Sequence, residues 1–227
     1  MSSTEVLGEA WTLYRRHWTH LLPIALVVFL LLSLFTLALA ALLGWLGVVA
    51  ALFVGLAGTF WLQGALVVAV EDIRDGRADL SIGETLSRVM PRINTLGVGG
   101  IIASVAIVIG LILFVVPGLV LLTWWLVFVP VIMLEGRGVF DAFRRSRELV
   151  RGNGWNAFRL IVLLLLVLIV VGVALDLATA PLDDAIGTYV SDVISNTLTA
   201  PFVALALTLA YYRLRGAGEA PVAEAAA

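Results

Sequence analysis

Residues 21–43 read LLPIALVVFLLLSLFTLALAALL, an apolar run broken only by Pro23, Ser33 and Thr36. Wound as a helix it would rise about 35 Å, more than the roughly 30 Å of a bilayer's hydrocarbon core. A segment of this kind has no stable place in water, so the bilayer is the expected solvent. The rest of the chain agrees. Of its 227 residues 62% are hydrophobic and 13% charged, with a mean hydropathy of +1.09. Ordinary soluble domains hold about 45–50% apolar residues.

Five more apolar segments follow, expected at residues 48–70, 96–116, 119–134, 160–177 and 194–212. Gly44-Trp45-Leu46-Gly47 is short enough to turn the first span directly into the second. Pro117-Gly118 is expected to end the third, and the fourth, with Trp124, Trp125 and Pro130, to be kinked or assisted by neighbouring helices. These readings give an all-α integral membrane fold of six transmembrane helices as three hairpins, one domain over residues 1–215 with a disordered cytoplasmic tail at 216–227. A signal peptide ending at Ala38-Leu39-Ala40 is the competing reading of the first span. The run is too long for the usual signal core of about 7–15 residues.

The basic residues supply orientation. All 14 are arginine. Arg15 and Arg16 precede the first span, four lie between spans two and three, six between spans four and five, and two follow the sixth. The remaining connections hold none. Under the positive-inside rule this pattern puts both termini and the arginine-bearing connections in the cytoplasm.

Each hairpin is introduced by a stretch with a shared order of apolar, any, acidic, small or polar, large apolar residues. The copies are Leu7-Gly8-Glu9-Ala10-Trp11, Ile82-Gly83-Glu84-Thr85-Leu86 and Val139-Phe140-Asp141-Ala142-Phe143. Helical spacing makes each an expected cytoplasmic amphipathic helix lying in the interface. The third carries Arg144, Arg145, Arg147 and Arg151, candidates for anionic lipid headgroups. Their other reading is that they only hold the connection on the cytoplasmic side.

Catalytic chemistry is sparse. There is no cysteine, so disulfides, thiolate metal sites and a cysteine nucleophile are excluded. His17 and His20 share a helical face but lack further ligands, and Glu71, Asp72, Asp75 and Asp79 fit no calcium-loop spacing. No metal or cofactor is expected. Gly97-Val98-Gly99-Gly100 is followed by no lysine, so close helix contact explains it better than a phosphate loop. Nucleic acid is not an expected partner, since the net charge is −2 and the arginines are juxtamembrane. Within the spans Gln63, Asn196 and Thr123 are candidate interhelical hydrogen-bonding residues, and Asp176 is the acidic residue at membrane depth. Intramembrane polar groups are expensive and often functional, so Gln63, Asp176 and Asn196 are the intramembrane candidates.

One stretch carries a family resemblance. It comprises Val116-Pro117-Gly118, Trp124-Trp125, Pro130, Leu134-Glu135-Gly136 and the run from Ala142-Phe143-Arg144-Arg145-Ser146-Arg147 to Gly154-Trp155. Gly8-Glu9-Ala10-Trp11 and Tyr14-Arg15-Arg16-His17 extend it to the N-terminal region. Together these resemble the membrane domain attached to some glycerophosphoryl diester phosphodiesterases and to related small bacterial proteins. The resemblance implies a bacterial inner-membrane location. In the fused proteins the chemistry belongs to a separate soluble barrel, for which the six spans leave no room here, so no catalytic residue carries over. The expectation is a non-enzyme that binds or organises anionic lipids, or a membrane or cytoplasmic protein partner, at the cytoplasmic face. A small transporter, exporter or permease is the alternative.

Overall fold

Each apolar run becomes a helix because hydrocarbon offers no partner for backbone N–H and C=O groups, and a helix pairs them within the segment. The computed structural model describes residues 2–74, 80–181 and 184–224, with the side chains of 184–186 and 217–224 left aside. Every regular element among the described residues is helical: α1 (Ser3–Arg74), α2 (Ile82–Val89), a 3-10 turn (Met90–Arg92), α3 (Ile93–Leu113), α4 (Val115–Trp124), α5 (Phe128–Glu135), α6 (Val139–Val150), α7 (Gly154–Thr179) and α8 (Asp184–Glu224). Five helical stretches are long and apolar enough to cross a membrane. Among them α4 and α5 act as one stretch, Val115–Glu135, and α8 contributes Gly187–Gly216.

A straight helix of 72 residues would extend about 110 Å, but α1 is not straight. It leaves helical geometry at His17 (φ −121°, ψ 19°) and at Gly44 (φ 58°, ψ −133°). The second conformation is closed to residues with a side chain, so glycine marks the reversal. Beyond it the two arms lie side by side: a Cβ built on Gly47 would collide with the Leu39 carbonyl oxygen, and one on Gly58 would meet the Leu32 side chain at 2.5 Å. The expected turn at Gly44-Trp45-Leu46-Gly47 is therefore present, inside a nominally continuous helix.

Between α3 and α4 the sequence reading misplaces the turn. Phe114 is the extended residue (φ −156°, ψ 131°), so the third apolar helix ends at Leu113 rather than Val116, and the fourth begins at Val115 rather than Leu119. Pro117 lies in the first turn of α4, where a helix needs no N–H donor, and so it starts a helix instead of stopping one. Gly118 approaches Gly110 closely, a Cβ on Gly110 falling 3.0 Å from the Gly118 Cα.

The expected irregularity of the next segment is found at residues 125–127, between α4 and α5, while Pro130 sits harmlessly in the first turn of α5. The freed backbone groups are taken up by α6. Ser146 Oγ donates to the Trp124 carbonyl at 2.8 Å and accepts from the Val127 N–H at 3.3 Å. Phe143 of α6 packs at a tilt against Trp125 and Phe128, at 4.5 and 5.2 Å between ring centres. Irregular backbone beside apolar helices is tolerated where the protein itself covers it.

The three short amphipathic stretches are all helical. The segment at residues 3–16 buries Val6 and Ala10, α2 buries Thr85 and Val89, and α6 buries Ala142, Phe143, Leu149 and Val150. α2 begins with a capping box, Ser81 and Glu84 each satisfying the other's backbone N–H. The first segment runs antiparallel along α8. Trp11 and Tyr14 pack on Phe202, and Tyr14 donates to the Leu198 carbonyl at 3.0 Å.

Candidate functional site

Five contacts gather the arginine-bearing ends of distant elements at one end of the bundle. Arg74, closing α1, lies over the Tyr212 ring of α8 at 3.6 Å. Arg92, opening α3, donates to the Gly136 carbonyl after α5 at 2.9 Å. Arg213 of α8 pairs with Glu5 (2.9 Å) and Glu9 (2.7 Å) of the N-terminal segment, and Ser3 donates to the Asn156 carbonyl of α7 at 2.8 Å. Both ends of α1, the start of α7 and the Tyr212–Arg213 stretch of α8 are thus neighbours, as are the start of α3 and the end of α5.

Glu135 is the hub of this end. Its carboxylate accepts from Arg137 Nε at 2.6 Å, Arg145 Nε at 3.2 Å and the Tyr211 hydroxyl at 3.1 Å, which joins α5, α6 and α8. The side chain of Glu135 is 12% exposed and Tyr211 is fully buried. Leaving water costs a carboxylate dearly unless several donors replace its hydration, and three do so here. The bond to Glu135 also raises the Arg137 guanidinium above its ordinary value. Gly136 makes the adjoining left-handed turn (φ 68°), and any Cβ there would strike Arg92 Nη2 at 2.6 Å.

The four candidate headgroup arginines separate. Arg145 turns inward to Glu135, with Glu148 at 3.8 Å as a second partner. Arg144, Arg147 and Arg151 are exposed. Arg144 and Arg151 form no ion pair with any described residue, whereas Arg147 lies over the Trp124 ring at 4.0 Å. The split follows helical geometry, because residues three and seven apart share a stripe and the next residue does not. Arg159, which the sequence reading did not single out, is a further exposed guanidinium, 5.5 Å over Trp155.

Two cavities flank the start of α7. A groove of about 350 Å³ between α4 and α7 is walled by Val116, Leu119, Val120, Trp124, Trp155 and Phe158, with Thr123 at its side. The other, about 480 Å³, lies between the N-terminus and α7, with Ser2, Ser3, Thr4, Asn156 and Arg159 on its polar side and Val162 and Leu163 on its apolar side. Trp155 and Phe158 line both. The signal in the sequence was faint: an arginine four residues after a tryptophan, where one helical turn stacks the pair.

The intramembrane candidates lie elsewhere and do not converge. Asp176 of α7 accepts a short hydrogen bond from Ser191 of α8, binding the bundle at its far end. Asn196 donates to the Asp192 carbonyl of its own helix at 2.8 Å, Thr123 to the Leu119 carbonyl at 2.7 Å, and Gln63 is half-buried. Neither cavity is lined by Gln63, Asp176 or Asn196. His17 lies 3.2 Å from the Leu13 carbonyl through Nδ1, while His20 Nε2 is buried without a partner. Asp72 is buried and accepts from the Leu80 N–H at 3.2 Å, which ties the end of α1 to the residue two before α2; Asp75 and Asp79 lie outside the described residues. No group of three metal-ligating side chains occurs among the described residues.

Comparison with protein-family models, curated proteins and solved structures found no match.

Proposed function

We propose that the chain is a six-span membrane protein of the bacterial inner membrane, with both termini cytoplasmic, whose arginine-rich face binds and organises anionic lipids. In this reading it is a membrane-only relative of the domain found on glycerophosphoryl diester phosphodiesterases, and it performs no catalysis. The observation that carries the proposal is the division of labour among the arginines. Arg137, Arg145 and Arg213 are neutralised within the fold, whereas Arg144, Arg147, Arg151 and Arg159 are exposed, Arg147 over the half-buried Trp124 ring and Arg159 over the exposed Trp155 ring. Cations beside aromatic side chains suit the depth at which phosphate headgroups meet acyl chains.

Each outward arginine near a negatively charged leaflet contributes about 1 kcal/mol of attraction, falling off with salt. The test is the lipid that copurifies with the protein in native nanodiscs from a mixed membrane. Changing Arg144, Arg147 and Arg151 together to glutamine should lower the anionic fraction toward that of bulk membrane. An unchanged fraction, at equal expression and helicity, would sink the proposal.

A further inference from the structure

We infer that the groove between α4 and α7, together with the cavity beside Arg159, is a binding site for one anionic phospholipid, with an acyl chain along the groove and the phosphate at Arg159. This rests on the lipid-binding reading above and narrows it from a charged surface to a defined site.

The two spaces have the opposed characters that a phospholipid has. The groove wall is aliphatic and aromatic, and its single hydroxyl, on Thr123, is engaged by the Leu119 carbonyl of its own helix. The adjoining cavity has a polar side of Ser2, Ser3, Thr4, Asn156 and Arg159; the Ser3 hydroxyl already donates to the Asn156 carbonyl and those of Ser2 and Thr4 bond each other, so the Arg159 guanidinium is the charged donor there. Because Trp155 and Phe158 belong to both linings, a single molecule can pass from one space to the other along those rings. Both volumes fall in the range of roughly 300–1,000 Å³ typical of small-ligand sites. That is too small for a partner helix about 10–12 Å across.

Charge selects the occupant. Arg147 over Trp124 and Arg159 over Trp155 set a guanidinium against each aromatic wall. A stacked guanidinium keeps its N–H edge free for phosphate oxygens, which arginine can meet with two parallel bonds. The groove also opens sideways, since Val116 is 69% and Trp155 65% exposed, so a lipid can enter from the bilayer.

The test titrates the full-length protein in detergent micelles with phosphatidylglycerol or phosphatidylcholine and counts retained lipids by native mass spectrometry. Wild type should hold one phosphatidylglycerol at least tenfold more tightly than phosphatidylcholine. Val120→Trp, which fills the groove, should abolish that tight equivalent, and Val116→Trp, at the exposed rim, should do so with less risk to folding. Arg159→Gln should lower the preference at least fivefold with an unchanged thermal melt. Retention at the wild-type level in both tryptophan variants would overturn the site. So would displacement of phosphatidylglycerol by inorganic phosphate alone, which would make the arginines a soluble-anion site. If retention survives these changes but falls when Arg144 and Arg151 become glutamine, the site is wrong and the surface reading stands. Absence of any anionic preference in the wild type would sink both.

Discussion

Glu135 and Arg144 show how differently neighbouring charges are used. Replacing Glu135 by glutamine leaves Arg145 and Tyr211 facing a neutral amide that cannot accept from all three donors. Hydrogen bonds to charged groups contribute about 1.5–3 kcal/mol each, and part of that is screened at this half-open end of the bundle. We expect Glu135→Gln to lower unfolding stability in micelles by about 1.5–3 kcal/mol, and Arg144→Gln to leave the melting curve in place. Similar losses in the two variants would contradict the inward and outward assignment. The sequence showed Arg144, Arg145, Arg147 and Arg151 as one basic cluster because composition carries no direction. Periodicity could have separated Arg145 from the other three, but nothing local identifies Glu135 as its partner or Tyr211 as the third arm. Those contacts join α5 to α6 and to α8, and only the packed bundle creates them.

At the scale of elements, the apolar runs were readable and their ends were not. The run at Leu21–Leu43 needs no tertiary information to become a helix, whereas Pro117-Gly118 reads equally well as a stop or a start. The choice fell to a start because Phe114 takes the extended conformation and Gly118 must meet Gly110. The break at 125–127 was anticipated from Trp124, Trp125 and Pro130, yet its remedy, Ser146, lies on another helix. Ser146→Ala would leave the Trp124 carbonyl and the Val127 N–H without that partner. An unsatisfied buried group costs about 1–3 kcal/mol, although interhelical hydrogen bonds in membrane proteins average nearer 0.6 kcal/mol. The sharper readout is local: amide exchange at Val127 should quicken by at least tenfold in Ser146→Ala while α3 and α7 keep their protection. Uniform acceleration across the helices would mean that Ser146 supports global packing rather than the break.

For the whole molecule, the proposed six-span reading makes a claim about where the two ends of the chain lie. Five long apolar helices, each crossing once, would leave the termini on opposite sides of the membrane. The N-terminal segment nevertheless lies along α8, held by Glu5 and Glu9 to Arg213 and by Tyr14 to the Leu198 carbonyl. In the six-span reading proposed above the termini share one side, which requires an even number of crossings, and the reversal at Gly44 would supply the additional one by dividing α1 into outgoing and returning arms. The arginine distribution leads to the same parity without any geometry. Because the chain has no cysteine, single cysteines report sidedness cleanly. In sealed membrane vesicles, Ser87→Cys and Arg144→Cys should react with a membrane-impermeant thiol reagent from the cytoplasmic side only. Trp45→Cys, Phe114→Cys and Ala180→Cys, exposed residues at the turns that the six-span reading puts on the far side, should react only from the opposite side. Trp45 is the deciding position. Were α1 a single crossing, residue 45 would lie within hydrocarbon and resist the reagent from both faces, and that outcome would remove the six-span reading along with the common arginine face on which the lipid site depends.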